Sequence, residues 1–281
     1  MKTLYISDLD GTLLDKNAKL SQHSADIISN LIQNGMLFSV ATARSRSCID
    51  ILEQLHINIP CVQLNGVLIY DFNTQKYIGC TPMDTDTADH IIKILKSFDR
   101  MSFVYKFDSD CGINVEFEKL QNQVERNFFN ARKNQDYKSF KQVPDITASD
   151  DDKIIYYTMV DSYERLEPIY HKIKTLPHAK PTLYKDNYSD LFFLEVFSSD
   201  ATKANGVLKL KQMLNADKVV AFGDNLNDVD MLKIADVGVA VGDCVNEVKN
   251  YADIIIGNSY ENGVAEFLLQ EFHSKNSISS F

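Results

Sequence analysis

The sequence predicts an α/β protein, a mainly parallel sheet with helices that is interrupted by a second, smaller α/β segment. Short apolar runs alternate with helix-length amphipathic stretches over the first part of the chain, and the same rhythm returns from Ala201 onward. Such βαβ alternation builds parallel sheets with right-handed crossovers. Between residues 83 and 195 the composition changes: only Gly112 of the eleven glycines lies there, against seventeen of the twenty-nine Phe and Tyr residues. A core domain is therefore expected at 1–82 and 196–281, with an inserted domain at 83–195.

Leu4 to Ile6 is a short β-favouring run that reads as a buried strand. Ser21 stands as the N-cap of a helix whose Ile27, Ile28, Leu31 and Ile32 share a face, and Gly35 as its C-terminal glycine. Met36 to Ala41 reads as a second strand ending in Thr42-Ala43-Arg44, with a helical stretch from Ser45 to His56 and a third strand of the same sheet from Cys61 to Leu64. In the insert, helices are expected from Thr85 to Phe98, Leu120 to Lys133 and Tyr163 to Thr175. Strands are expected through Phe103, Tyr105 and Phe107, then at Ile113 to Phe117, Ile154 to Val160, Thr182 to Tyr184 and Phe192 to Phe197. Alternation with short turns fits an antiparallel sheet carrying helices on one face. Beyond it come a helix from Thr202 to Leu214, a strand at Val219 to Phe222, a helix from Val229 to Ile234 and a strand at Val237 to Val241. A helix from Val245 to Tyr251, a strand at Ile254 to Ile256, a helix from Asn262 to Phe272 and a frayed tail from His273 to Ser280 complete the chain.

At 281 residues the chain has room for one large or two modest domains, taking roughly 150 residues per domain. Hydrophobic content of 44% and charged content of 24% are those of a globular protein. A net charge of -10 and no cluster of Lys and Arg argue against nucleic acid as a partner. The five cysteines, at 48, 61, 80, 111 and 244, form no Cys-x-x-Cys pair and read as reduced structural thiols of a cytoplasmic protein. No signal peptide is expected at the N-terminus, and no run approaches the roughly 18 apolar residues that span a membrane. The six scattered histidines show no metal-ligand spacing. No protein partner can be inferred.

The chemistry gathers at strand ends. The first strand runs into Asp8-Leu9-Asp10-Gly11-Thr12, two carboxylates one residue apart and then a glycine that lets the backbone turn. Asp and Gly are ordinary turn residues, which accounts for Asp10-Gly11 but not for Asp8 as well. Carboxylates so close repel unless a proton or cation sits between them, and Mg²⁺ suits the purpose. Thr42, with the Ala43 amide at a helix start, is placed to hold a phosphoryl oxygen; as a lone feature it reads equally as an N-cap. Lys203 reads by default as a solvated lysine, and gains weight as the ammonium that would offset these acids. Asp224 and Asp228, four apart with Asn227 beside them, share a face in a helical turn and offer hard oxygen ligands to Mg²⁺.

Asp8-x-Asp10-Gly11-Thr12, Thr42, Lys203 and Gly223-Asp224-x-x-Asn227-Asp228 resemble, in order, the four motifs of haloacid dehalogenase (HAD)-like hydrolases. The placement of the insert, with Asn65-Gly66, Gly238 to Gly242 and Asn262-Gly263-Val264, is similar to the Cof-type IIB branch of phosphatases. Ala43 stands where that branch usually has glycine, and Asp243-Cys244 where Asn-Ala is common. The resemblance implies a Rossmann-like parallel-sheet HAD core with an inserted α/β cap of the C2B type. It also implies a phosphatase that takes small phosphorylated metabolites. Asp8 would be the nucleophile and Asp10 the acid and base; Asp8, the Asp10 carbonyl and Asp224 would hold Mg²⁺, with Asp228 orienting its waters. Thr42, Ala43 and Lys203 would bind the phosphoryl group, Asn227 would position Lys203 or Asp224, and the cap would act as a lid that chooses the substrate. A hexose phosphomutase would use the same nucleophile but need a second phosphate site, and Arg100, Arg126, Arg132 and Arg165 do not cluster visibly in the sequence. A non-catalytic phosphate binder would more plausibly have lost Asp8 or Asp10. The aromatic stripe Phe103, Tyr105, Phe107 reads as core, and Asp150-Asp151-Asp152 as a solvated loop.

Overall fold

The structure is a computed structural model and describes residues 1–108, 112–135, 137–186 and 189–278. Two compact units emerge: Met1–Ile78 with Thr202–Phe281, and Gly79–Ala201. No described helix is long and apolar enough to cross a membrane.

The chain opens with β1 (Thr3–Ser7), α1 (Gln22–Gln33), β2 (Leu37–Val40), α2 (Ile49–Gln54), β3 (Cys61–Gln63), β4 (Leu68–Asp71) and β5 (Lys76–Cys80). Ser21 caps α1 by accepting from the Ser24 amide at 3.0 Å, and Gly35 ends it at φ +90°. The expected third parallel strand is only partly right. β3 touches the parallel sheet through a single bridge, Ala41 to Val62, and pairs antiparallel with β4 in a three-stranded sheet ordered β3-β4-β5. β4 and β5 lie where no element was expected; Gly66 turns the chain back into them at φ +99°.

The second unit holds α3 (Thr85–Ser97), β6 (Phe103–Asp108), β7 (Gly112–Phe117), α4 (Gln123–Arg132), β8 (Lys138–Gln142), β9 (Ile154–Asp161), α5 (Tyr163–Ile173), β10 (Ala179–Lys185) and β11 (Phe192–Ser198). Its sheet is ordered β10-β11-β9-β6-β7-β8 and is antiparallel except between β7 and β8, which run parallel. β8 escaped the sequence reading because Lys138 to Gln142 lacks an apolar alternation. Helices lie on both faces. Val104, Tyr157, Met159, Leu194 and Val196 share a core cluster with Ile91, Ile92 and Leu95 of α3 and Leu166, Ile169 and Ile173 of α5. On the other face Phe128 of α4 packs on Phe103 at 4.7 Å, and Phe129 on Phe117 at 5.1 Å. Phe103, Tyr105 and Phe107 are buried, as a core stripe should be. Asp152 is not a solvated loop residue: it pairs with Lys106 at 2.8 Å and accepts from Ser149.

The chain then returns with α6 (Lys203–Leu214), β12 (Lys218–Gly223), α7 (Val229–Ile234), β13 (Val237–Ala240), β14 (Ile254–Ile255) and α8 (Gly263–Ile278). These complete a parallel sheet ordered β14-β13-β12-β1-β2, so β1 is flanked by β12 on one side and β2 on the other. The stretch expected as a helix from Val245 is a 3₁₀ turn at Val248–Tyr251, and α8 runs on to Ile278 through the expected tail. Four free cysteines, Cys48, Cys61, Cys80 and Cys244, agree with reduced thiols; Cys111 lies outside the described residues.

One close approach sets up the site. A Cβ at Gly66 would meet the Thr202 carbonyl oxygen at 2.0 Å, and one at Gly206 would meet Val62 at 2.4 Å. Only glycine at both positions lets the start of α6 lie against the turn after β3, and that start carries Lys203.

Candidate active site

Asp8 stays in the ladder just past β1, its amide donating to the Phe222 carbonyl at 3.0 Å. The chain then turns at Gly11, φ +83°, where a Cβ would meet Asp224 Oδ2 at 2.6 Å. That close approach lets the Thr12 hydroxyl donate to Asp224 Oδ1 at 2.8 Å, tying the β1 turn to the end of β12. Lys203 is the first residue of α6, where the Thr202 hydroxyl caps the helix by accepting from the Asn205 amide. Its Nζ donates to Asp8 Oδ1 and to Asp228 Oδ1, both at 2.6 Å, with the lysine side chain 1% exposed.

Asp228 is wholly buried, and its second oxygen accepts from the amides of Asp224 and Asn225 at 3.1 and 3.0 Å. The expected helical turn is therefore corrected. Asp224 follows the strand, Asp228 ends a 3₁₀ turn at Leu226–Asp228, and they meet because Asp228 folds back to bind the loop's amides. Asp8, Asp224 and Asp228 each offer one carboxylate oxygen within 4.8 Å of the others.

Three hard oxygen donors with a single ammonium among them suit a hard divalent cation. Asp228 has committed both oxygens, so Asp8 and Asp224 are the residues placed to hold such an ion directly, with Asp228 behind them. The electrostatics agree. Burial pushes the Asp8 carboxyl up to about 7 and the charge of Asp228 adds to that, while Lys203 pulls against both. Burial likewise raises Asp224, opposed by the Thr12 hydrogen bond. For Lys203 burial works against the charge, but Asp8 and Asp228 outweigh it and hold the ammonium above the ordinary lysine value.

The other expected residues are placed differently. Asp10 stands outside the acidic cluster: its carboxylate takes a two-pronged hydrogen bond from Arg44, Nε to Oδ2 at 2.8 Å and Nη2 to Oδ1 at 2.5 Å. Thr42 is buried and caps no helix; its hydroxyl accepts from the Arg44 amide at 3.1 Å and its own amide donates to Val62. Ala43 beside it is exposed. Asn227 positions neither Lys203 nor Asp224, and its amide reaches Asn65 Oδ1 at 3.5 Å. Asp243, at the position where the branch usually has asparagine, accepts from the Ser259 amide and hydroxyl. Arg44 was missed. Its signal lay in the sequence, two residues beyond Thr42 at the same strand end, but an arginine in a polar loop names no partner.

The first unit is thus a parallel α/β unit with an acidic cluster and a buried lysine at its strand ends. The sequence model of the haloacid dehalogenase-like hydrolases matches residues 5–268, and the chain belongs to that family. Curated relatives include the 5-amino-6-(5-phospho-D-ribitylamino)uracil phosphatase YitU of Bacillus subtilis, 24% identical over 94% of this chain and 96% of its own. The pyridoxal phosphate phosphatase YbhA of Escherichia coli is 25% identical over 93% of this chain and 95% of its own. Among solved structures, a Thermotoga maritima protein matches with TM-score 0.68 at 22% identity, covering 96% of this chain and 97% of that one. A HAD subclass IIB sugar phosphatase matches with TM-score 0.62 at 17% identity, covering 97% and 99%. The expected HAD fold with an inserted α/β segment is thereby established.

Proposed function

We propose that the chain is a cytoplasmic, Mg²⁺-dependent phosphatase that hydrolyses small phosphorylated metabolites, sugar phosphates or similar phosphomonoesters, through an aspartyl-phosphate on Asp8. The observation that carries this is the 2.6 Å contact from buried Lys203 to Asp8 inside a three-carboxylate cluster. An ammonium there orients one Asp8 oxygen and meets the incoming phosphoryl charge. The inserted unit, taken as 83–195 from the sequence, is assigned the choice of substrate.

Asp8 attacks phosphorus, forming an Oδ–P bond as the ester P–O bond breaks, and Asp10 gives its proton to the leaving alcohol. Asp10 then takes a proton from water, whose oxygen attacks the phosphoryl group and releases Asp8. Mg²⁺, when held by Asp8, Asp224 and the Asp10 carbonyl with Asp228 behind them, supplies positive charge to the transferring group. Thr42, Ala43 and Asn227 are assigned to the phosphate's surroundings.

The two-pronged Arg44 pair fixes where the Asp10 carboxylate points, and so sets its position in both halves of the cycle. Arg44→Ala is expected to lower kcat by about tenfold to a hundredfold while the melting temperature holds, because a misplaced base costs that order in rate. Arg44→Lys should recover little, having no fork. Stopped-flow release of phosphate would read both.

The test of the whole proposal is phosphate release from a panel of sugar, nucleotide and vitamin phosphates, in Mg²⁺ and in chelator. Release in Mg²⁺ that chelator abolishes is expected. No release from any ester in Mg²⁺ would end the hydrolase proposal.

A further inference from the structure

One half-buried side-chain amide near Asp8, that of Asn65, has no part in the chemistry derived above. The turn after β3 holds three successive residues in the left-handed region, Leu64 at φ +49°, Asn65 at φ +51° and Gly66 at φ +99°. The tight fit against Thr202 requires glycine at 66. That fit does not account for its two neighbours. Asparagine tolerates the region, but a bulky leucine there is an outlier that the surrounding structure must enforce. The enforcing contacts come from the end of β2: the Leu64 amide donates to the Arg44 carbonyl at 3.1 Å, and the Asn65 amide to the Thr42 carbonyl at 2.9 Å. Strain of this kind gathers where a side chain has to be aimed.

Two routes of contact join Asn65 to Asp8. On one side Asn65 bonds Thr42, and Ala41 just before it donates to the carbonyl of Ser7, the residue preceding Asp8, at 2.9 Å. On the other side the Asn227 amide reaches Asn65 Oδ1 at 3.5 Å, and Asp228, next in sequence, shares the Lys203 ammonium with Asp8. Asn65 thus closes a ring of contacts that begins and ends at the nucleophile. Its Oδ1 is engaged within that ring, while its Nδ2 hydrogens have no acceptor among the described residues. A donor held in a strained turn yet spent on no protein acceptor is placed for a ligand. Lys203 has already given two of its three hydrogens to carboxylates, so a phosphoryl dianion arriving beside it needs further donors.

We infer that Asn65 binds the substrate's phosphoryl group, its Nδ2 donating to an oxygen that Lys203 does not hold. The inference deepens the phosphatase proposal and rests on it in placing that group over Asp8.

Inorganic phosphate is the probe, titrated calorimetrically into the full chain in Mg²⁺, with thermal melting measured alongside. Asn65→Gly leaves the left-handed backbone unstrained and removes the donor. Asn65→Asp keeps the size, the tolerance of that backbone region and the oxygen that accepts from Asn227, but when ionised has no hydrogen to give. Wild type is expected to bind phosphate. Asn65→Gly should bind it at least about tenfold more weakly and Asn65→Asp at least about a hundredfold more weakly, with melting temperatures unchanged. An Asn65 that merely shaped the turn would be replaced by Asp at no loss, so equal binding by wild type and Asn65→Asp overturns the inference. So does the absence of binding by wild type at millimolar phosphate, or weakened binding that appears only with a lowered melting temperature in both variants. Turnover is read separately. A wild type that binds phosphate in the expected pattern but releases none from any ester sinks the phosphatase proposal and leaves Asn65 as a phosphate ligand. Ester hydrolysis with phosphate binding indifferent to Asn65 sinks this inference alone.

Discussion

Asp8→Asn is expected to reduce phosphate release by at least about a thousandfold in saturating Mg²⁺, since the amide cannot form the phosphoryl-enzyme and only binding effects would remain. The fold should not suffer. Asp8 is 5% exposed and its carboxyl is pushed up to about 7, so its charge is held at a cost that the neutral isostere removes. Lys203 keeps Asp228 as its partner at 2.6 Å. A melting temperature at or above the wild-type value, with activity gone, is the expected pair of results. Retention of more than a tenth of the activity would rule out Asp8 as the nucleophile.

Lys203→Met should instead damage stability and activity together. The methionine fills similar volume, but Asp8 and Asp228 lose their shared cation in a setting that is 1% exposed at the lysine. Removing one partner from a buried ion pair costs about 3–5 kcal/mol, or on the order of 10 °C in melting temperature for a chain of this size. The cost should appear in chelator and shrink in millimolar Mg²⁺, because a divalent ion can replace part of the missing charge. Thermal unfolding in the two buffers reads this directly. Equal melting of variant and wild type in chelator would show that the lysine is not what balances the acids.

Much of this site was legible because its chemistry lies where strand meets turn. Asp8, Asp224 and Asp228 are legible from residue type, spacing and position, and Lys203, by default a solvated lysine, from the family resemblance; all four converge. What spacing cannot reveal is how a side chain spends its atoms. Spacing makes Asp228 an oxygen donor beside Asp224, and the resemblance has it orienting the metal's waters; it gives one oxygen to Lys203 and the other to two amides. Asp10 looked like part of the cluster, yet it turns to Arg44. Both choices are made by loop geometry, which the one or three intervening residues do not encode. The fold failed to read through in the same way at β4 and β8: a reversal at Gly66 and a polar strand paired in parallel with β7 leave no periodic signature.

The order of strands also governs when the site comes into being as the chain is synthesised. β1 is the third residue onward, but its neighbour β12 pairs Lys218 with Thr3. Asp8 likewise meets its ammonium across 195 residues of chain. Until that late segment has emerged, β1 has an open edge and Asp8 no counter-charge, so β1 lacks one of its two neighbours through most of translation. Contacts of such long range fold slowly and expose edges to aggregation meanwhile. Chains truncated before α6 should therefore be aggregation-prone, and the early strand that bears the nucleophile should be among the last to be protected from hydrogen exchange on refolding.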